Sequence, residues 1–199
     1  MMLSETSQTP NTSLPIAALK DHLRLGTGFG TEGLQEGLLE AHLRAAIAAI
    51  EARIGKVLIT RSYVLTLQNW RSLSQQSLPL APVTAVARVA VYDGAGTEIV
   101  VPPARYRVQA DLHRPKLVSV GVLLPSVPQD GRVEIAFDAG FGPSWGDVPP
   151  DLAHAVMLLA AQYYETRYEA GPQGLGLPMA VQSLIERYRT VRILGGGAA

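Results

Sequence analysis

Ile50-Glu-Ala-Arg-Ile-Gly55-Lys56-Val-Leu-Ile-Thr-Arg-Ser-Tyr63-Val-Leu-Thr-Leu-Gln-Asn-Trp70 decides the fold, because the hydrophobic period changes inside it. Upstream, Leu39, Leu43, Ile47, Ile50 and Ile54 recur at three and four residues, the spacing of one helix face. Glu36, Glu40 and Arg44 fall on the opposite face at i, i+4, so the helix that begins near Leu34 is amphipathic. Gly55 is the natural residue to end it. Downstream, Tyr63, Leu65 and Leu67 alternate with Val64, Thr66 and Gln68, which is the period of a half-buried strand over Val57 to Trp70. A helical segment therefore hands over to β-structure within a few residues of Gly55.

Working outward, Ser13 to Leu25 predicts a short helix with Pro15 in its first turn and Ile16, Leu19 and Leu23 on one face. The polar residues before it read as a frayed arm. On the other side, Arg88 to Tyr92, Asp93-Gly94 and Thr97 to Val101 form a hairpin pattern, since Asp-Gly accepts the positive φ angles of a tight turn. Further strands are expected at Tyr106 to Gln109, Lys116 to Val120 and Arg132 to Phe137. Helical periodicity returns after Val148-Pro-Pro-Asp151, with Leu152, Val156, Leu159 and Tyr163 on one face to about Glu169. A glycine-rich break at 171–178 precedes a shorter helix carrying Val181, Leu184, Ile185 and Tyr188. Each amphipathic helix must bury its stripe, and the economical solution packs the first and last helices together. The expected fold is α+β: a helical bundle of residues 14–56 and 149–190, an inserted small antiparallel β-domain at 57–148, a flexible arm at 1–13 and a tail at 191–199.

The chain has 199 residues, with 17 basic and 17 acidic side chains, a net charge of zero and no cysteine. Its length allows a core without disulfide staples, and the absent cysteine removes thiolate metal sites and cysteine nucleophiles. Charged residues make up 17%, low for a soluble domain, and a neutral, weakly charged surface favours association. No apolar run reaches the ~18 residues of a membrane span, and no secretory signal is visible in the first residues. Residues 1–55 hold 4 basic and 6 acidic side chains, 56–148 hold 9 and 7, and 149–199 hold 4 and 4, so no third is polybasic.

Two motifs invite chemistry. Gly28-Phe-Gly-Thr-Glu-Gly33 matches G-x-G-x-x-G, but a helix precedes it and no βαβ alternation follows, so an inter-helix loop is expected. Gly142-Pro-Ser-Trp-Gly146 matches the serine-hydrolase elbow, with Asp151 and His154 downstream. The elbow needs a helix immediately after the serine, whereas Asp147-Val-Pro-Pro150 intervenes, and the chain lacks the parallel sheet that supplies the other partners. A connector steering the chain into the next helix is the plainer reading. His22, His42, His113 and His154 lack zinc-site spacing. Tyr163, Tyr164, Tyr168 and Tyr188 suit packing and protein contact rather than base stacking. No catalytic residue, metal or cofactor is expected.

The order of segments is the informative feature. The short helix from Pro15 to Leu25, Ile50 to Gly55 with Lys56-Val-Leu58, the strand ending Asn69-Trp70, Leu78-Pro-Leu-Ala-Pro-Val-Thr-Ala-Val86, Val91-Tyr-Asp-Gly94, Arg105-Tyr-Arg-Val108, Val133 to Gly142, and Val148-Pro-Pro-Asp-Leu152 leading to Tyr163-Tyr-Glu-Thr-Arg167 occur in sequence. Together, over about residues 14 to 170, the chain resembles the head-to-tail connector, or adaptor, proteins of long-tailed bacteriophages and phage-derived gene transfer agents. The resemblance implies a non-enzymatic structural subunit, assembled in the bacterial cytoplasm into the virion or phage-like particle. It would form a ring, usually twelve-fold, below the portal protein, join the DNA-filled head to a stopper or other neck or tail protein, and let DNA pass non-specifically through its lumen. It also implies that the C-terminal segment docks on the portal, a role carried here onto Arg187, Arg189, Arg192, Ile193 and Leu194. A lumen that lets DNA slide should be neutral or mildly acidic, which makes the Glu36 and Glu40 face a candidate lining. The alternatives are a stopper or tail terminator, which tend to be β-dominated, and a serine hydrolase using Ser144.

Overall fold

The computed structural model describes residues 1–25, 32–166 and 176–189. The G-x-G-x-x-G loop, Arg167, Tyr168, Arg192, Ile193 and Leu194 therefore lie wholly or largely outside the described residues. The architecture is α+β, as expected. Among the described residues four α-helices, α1 (Ile16–His22), α2 (Glu32–Ile54), α3 (Pro150–Glu165) and α4 (Met179–Ile185), flank seven of eight strands in sequence, the first strand preceding α1. The strands are β1 (Met2–Glu5), β2 (Arg61–Leu67), β3 (Gln75–Ser77), β4 (Val83–Tyr92), β5 (Glu98–Val100), β6 (Tyr106–Gln109), β7 (Lys116–Ser119) and β8 (Arg132–Ala139).

The helices enclose one apolar cluster. Leu39, Leu43, Ile47, Ile50 and Ile54 of α2 are buried with Leu19 of α1, Leu152, Val156 and Leu159 of α3, and Val181 and Ile185 of α4. Every predicted stripe residue of α2 thus reaches the core. Gly55 ends α2 at φ +66°, a left-handed conformation that a side chain resists. The predicted first strand is shorter than its alternation suggested. Arg61 starts β2, while Leu58 and Ile59 turn into the helical cluster and Val57 into the β cluster, so residues 56–60 stitch the two together.

The strands form two antiparallel sheets, a five-stranded one ordered β1-β2-β8-β4-β5 and a three-stranded one ordered β3-β7-β6. Their inner faces share a second cluster that includes Leu65, Trp70, Val89, Tyr106, Leu117, Ile135 and Phe137. The register Arg107 to Val118 and Gln109 to Lys116, with Gln75 opposite Val118 and Ser77 opposite Lys116, fixes which residues of the small sheet face away from that core.

The expected frayed arm is corrected. Met2–Glu5 pairs with β2 as an edge strand, Met2 opposite Thr66 and Glu5 opposite Tyr63. Thr6 N donates to the Ser62 carbonyl at 2.9 Å, and Ser62 N donates to Ser7 Oγ at 2.8 Å. The segment's apolar content is too small to announce a strand, and its backbone hydrogen bonds to β2 supply what its side chains do not. Pro15, expected in the first turn of the first helix, instead holds the N-cap position of α1, with no side-chain cap.

Candidate functional site

The C-terminal helical end is built on Tyr188. α4 runs into a 3-10 turn, Glu186–Tyr188, that buries Tyr188 against Phe141, the two rings meeting edge-on with centroids 6.2 Å apart. The Tyr188 hydroxyl donates to Asp151 Oδ1 at 2.8 Å and accepts from Arg187. Burial raises the pKa of this hydroxyl, against the pull of Arg187. Arg187 Nε also lies 2.9 Å from Asp151 Oδ2, and its guanidinium stacks 4.7 Å from the Tyr188 ring centroid. Even so, 70% of the Arg187 side chain stays exposed. Arg189 pairs instead with Glu186 at 2.9 Å. The structure brings Arg187, Asp151 and Tyr188 together and sets Arg189 beside them on its own turn.

On the outer face of α2, Glu40 pairs with Arg44 at 2.9 Å, as the i, i+4 spacing predicts, and Glu36 takes Lys20 of α1 at 2.6 Å. Asn11 Nδ2 donates to Glu40 at 2.8 Å, and Arg44 donates to the Thr9 carbonyl at 3.1 Å and to Asn11 Oδ1 at 2.6 Å. The face thus binds the residues preceding α1 to the bundle and carries offset rather than bare negative charge.

Sequence reasoning missed the seam between the two cores. Arg61, the first residue of β2, pairs with Glu51 of α2 and lies 3.2 Å from Glu5 of β1. Glu51 Oε1 also accepts from Leu58 N at 2.7 Å. Burial holds the Glu51 carboxyl above its ordinary range, and Arg61 opposes that shift. The nine residues between Glu51 and Arg61 span a helix end and a strand start, so no local spacing announces the pair.

The serine-elbow residues are committed elsewhere. Ser144 Oγ donates to Asp147 Oδ2 at 2.8 Å, and Ser144 N to the same oxygen at 2.9 Å, a capping box for the turn Trp145–Asp147. Gly142 lets Asp147 approach, since a Cβ there would stand 2.3 Å from the Asp147 Cβ. Asp151 serves Tyr188 and Arg187, while His154 is exposed on α3. His42 meets Tyr164 edge-on at 6.2 Å. Among the described residues no group of three or more His, Cys, Asp or Glu could hold a metal, and no helix is long and apolar enough to cross a membrane.

Similarity to solved structures extends over nearly the whole chain. A chain in the neck of an empty gene transfer agent (GTA) particle, computed with C6 symmetry, is 50% identical over 98% of this chain and 99% of that one, with a TM-score of 0.88. A chain of the virion of a native GTA particle is 50% identical with a TM-score of 0.85, covering 98% of this chain and 99% of that one. A chain in the neck of a native GTA particle, computed with C12 symmetry, is 47% identical with a TM-score of 0.84 and the same coverage. No family model and no curated protein matches the chain.

Proposed function

Since the chain belongs to the family of gene transfer agent neck proteins, we propose that it is the head-to-tail connector of such a particle. Twelve copies would form a ring below the portal, joining the DNA-filled head to a stopper or other neck protein and surrounding the DNA exit channel. The observation that carries this reading is near-complete coverage by chains of necks computed with C6 and C12 symmetry, and the helical flanks of the fold support a connector over the β-dominated stoppers and terminators. A ring subunit meets each neighbour through a different face, and a durable contact buries on the order of 1,000 Å² or more. The chain's zero net charge suits that demand.

Within this reading the helical unit, 14–56 with 149–190, makes the subunit contacts. Arg187 and Arg189, followed by Arg192, Ile193 and Leu194, form the portal-docking segment. Tyr188 supports it: anchored on Asp151, it holds the turn Glu186–Tyr188 on the bundle. Glu36 and Glu40 line the channel with charge that Lys20 and Arg44 offset, leaving DNA free to slide. A reconstruction of purified particles tests the assignment: a twelve-fold ring of this chain directly below the portal is expected, and its placement at the stopper or tail terminator level overturns it. Truncation after Tyr188 is expected to abolish attachment to portal-bearing heads.

A further inference from the structure

The two outer faces of the β-sheets treat charge in opposite ways. On the five-stranded sheet Arg132 pairs with Glu134 at 2.8 Å, Arg88 pairs with Glu98, and Tyr92 bridges the two pairs by donating to Glu98 and stacking under Arg132. On the three-stranded sheet nothing of the kind occurs. Residues 71–78 and 102–127, which contain that sheet and its turns, hold five cations, Arg71, Arg105, Arg107, Arg114 and Lys116, against one carboxylate, Asp111. Asp111 Oδ1 accepts from the backbone N–H groups of His113 and Arg114, both at 2.7 Å. Among the described residues, every ion pair within 4.0 Å lies elsewhere.

Register gathers the outward side chains. Leu117, Gln76 and Tyr106 point into the core, so Gln75, Ser77, Arg107, Gln109, Lys116 and Val118 share the outer face. Arg107 and Lys116 are diagonal neighbours, with Cβ atoms roughly 7 Å apart. Lys116 Nζ reaches Gln75 Oε1 at 3.3 Å, and Arg107 is exposed without an anion.

We infer that this face is a non-specific contact for the phosphate backbone of DNA, made by Arg107 and Lys116 with Arg114 beside them and Gln75, Ser77 and Gln109 as neutral donors. The inference rests on the neck reading only for where the DNA is met. Two features favour nucleic acid over an acidic protein. Arg, Lys, Ser and Gln are the side chains that bind phosphate, whereas protein interfaces deplete Lys and Ser and centre on aromatic anchors, of which this face has none. Three strands of three or four residues also give a face only about 10 Å on each side, far below the roughly 800 Å² a stable protein partner covers but enough for a few phosphates. Contacts of this type weaken with salt and let the duplex slide.

The test is fluorescence anisotropy of the full chain with a labelled duplex of about 30 base pairs at several salt concentrations. Arg107→Gln/Lys116→Gln is expected to bind about 10-fold more weakly at low salt, with a log–log salt slope shallower by about 2. Arg88→Gln/Arg132→Gln changes net charge equally and is expected to bind within about 2-fold of the parent. Equal weakening by both pairs overturns the inference, as does absence of salt-dependent binding by the parent, or polyglutamate competing as well as DNA. Coincident thermal melting of parent and variants shows that folding is intact. Should Arg107→Lys/Lys116→Arg, which keeps both charges and the fold, fail to bind DNA, the inference is overturned too. Incorporation into particle necks is scored separately: loss of DNA binding with normal incorporation is the expected pattern, and a parent that binds DNA but never enters the neck overturns the functional reading instead.

Discussion

The helical core and the β core are filled with similar apolar side chains but held by different means. In the helical core, residues three and four apart in one segment lie together, so α2 alone contributes Leu39, Leu43, Ile47, Ile50 and Ile54. In the β core, neighbours such as Leu65 and Ile135 meet across β2 and β8 only through register. Between the two the material is polar and backbone-bound: Arg61 with Glu51, Leu58 N on Glu51, and Phe141 N on the Leu58 carbonyl at 3.2 Å. Apolar packing stabilises each part, while the seam fixes their orientation. The chain's two tryptophans divide accordingly, Trp70 in the β core and Trp145 against the helical one, so single-tryptophan variants report each part alone.

The largest effect is expected where the seam admits no side chain. Gly140 has φ +147°, and a Cβ there would stand 2.4 Å from the Thr60 backbone. Gly140→Ala should cost on the order of 4 kcal/mol, lowering the urea midpoint at both tryptophans; a loss at only one would show the cores to be less joined than their shared backbone implies. Next is Arg61→Gln, which strands the half-buried Glu51 carboxylate and should cost about 2–3 kcal/mol. Here the Trp70 and Trp145 transitions are expected to separate, where in the parent they coincide. Ser144→Ala removes half of the capping box and should cost about 1 kcal/mol, felt first at Trp145. A serine-directed probe should label parent and variant alike. The smallest effect is a pH trend. Because burial raises the Glu51 pKa, the folded chain keeps that proton after the unfolded chain has released it. Stability relative to Glu51→Gln should therefore fall as pH rises from the ordinary carboxylate range through the folded value, measured as the difference in unfolding free energy between the two proteins.

Much of the fold was legible because its signals are local. The period change at Gly55, the hairpin turn from Asp93 (whose positive φ falls on Gly96 and not on the expected Asp93-Gly94) and the Pro149-Pro150 entry into α3 each lie within a few residues. What escaped depends on partners far along the chain. Met2-Leu-Ser-Glu5 is too short and mixed to read as a strand until β2 lies beside it, and Gln75-Gln-Ser77 is polar throughout yet becomes β3 by pairing with β7. Nothing near Arg187 in sequence announces its carboxylate, Asp151 of α3. Arg107 and Lys116 gave no sequence signal, nine residues apart on two strands, because only the β6–β7 register makes them neighbours.

Edge strand β1 also bears on the order of events at the ribosome. Met2–Glu5 is synthesised before α1 to α4, but its partner Arg61–Leu67 follows some sixty residues later and is itself paired by β8, a further seventy residues on. Closing β1 on β2 therefore spans a long stretch of intervening chain, a non-local pairing of the kind that costs loop-closure entropy before its contacts repay it.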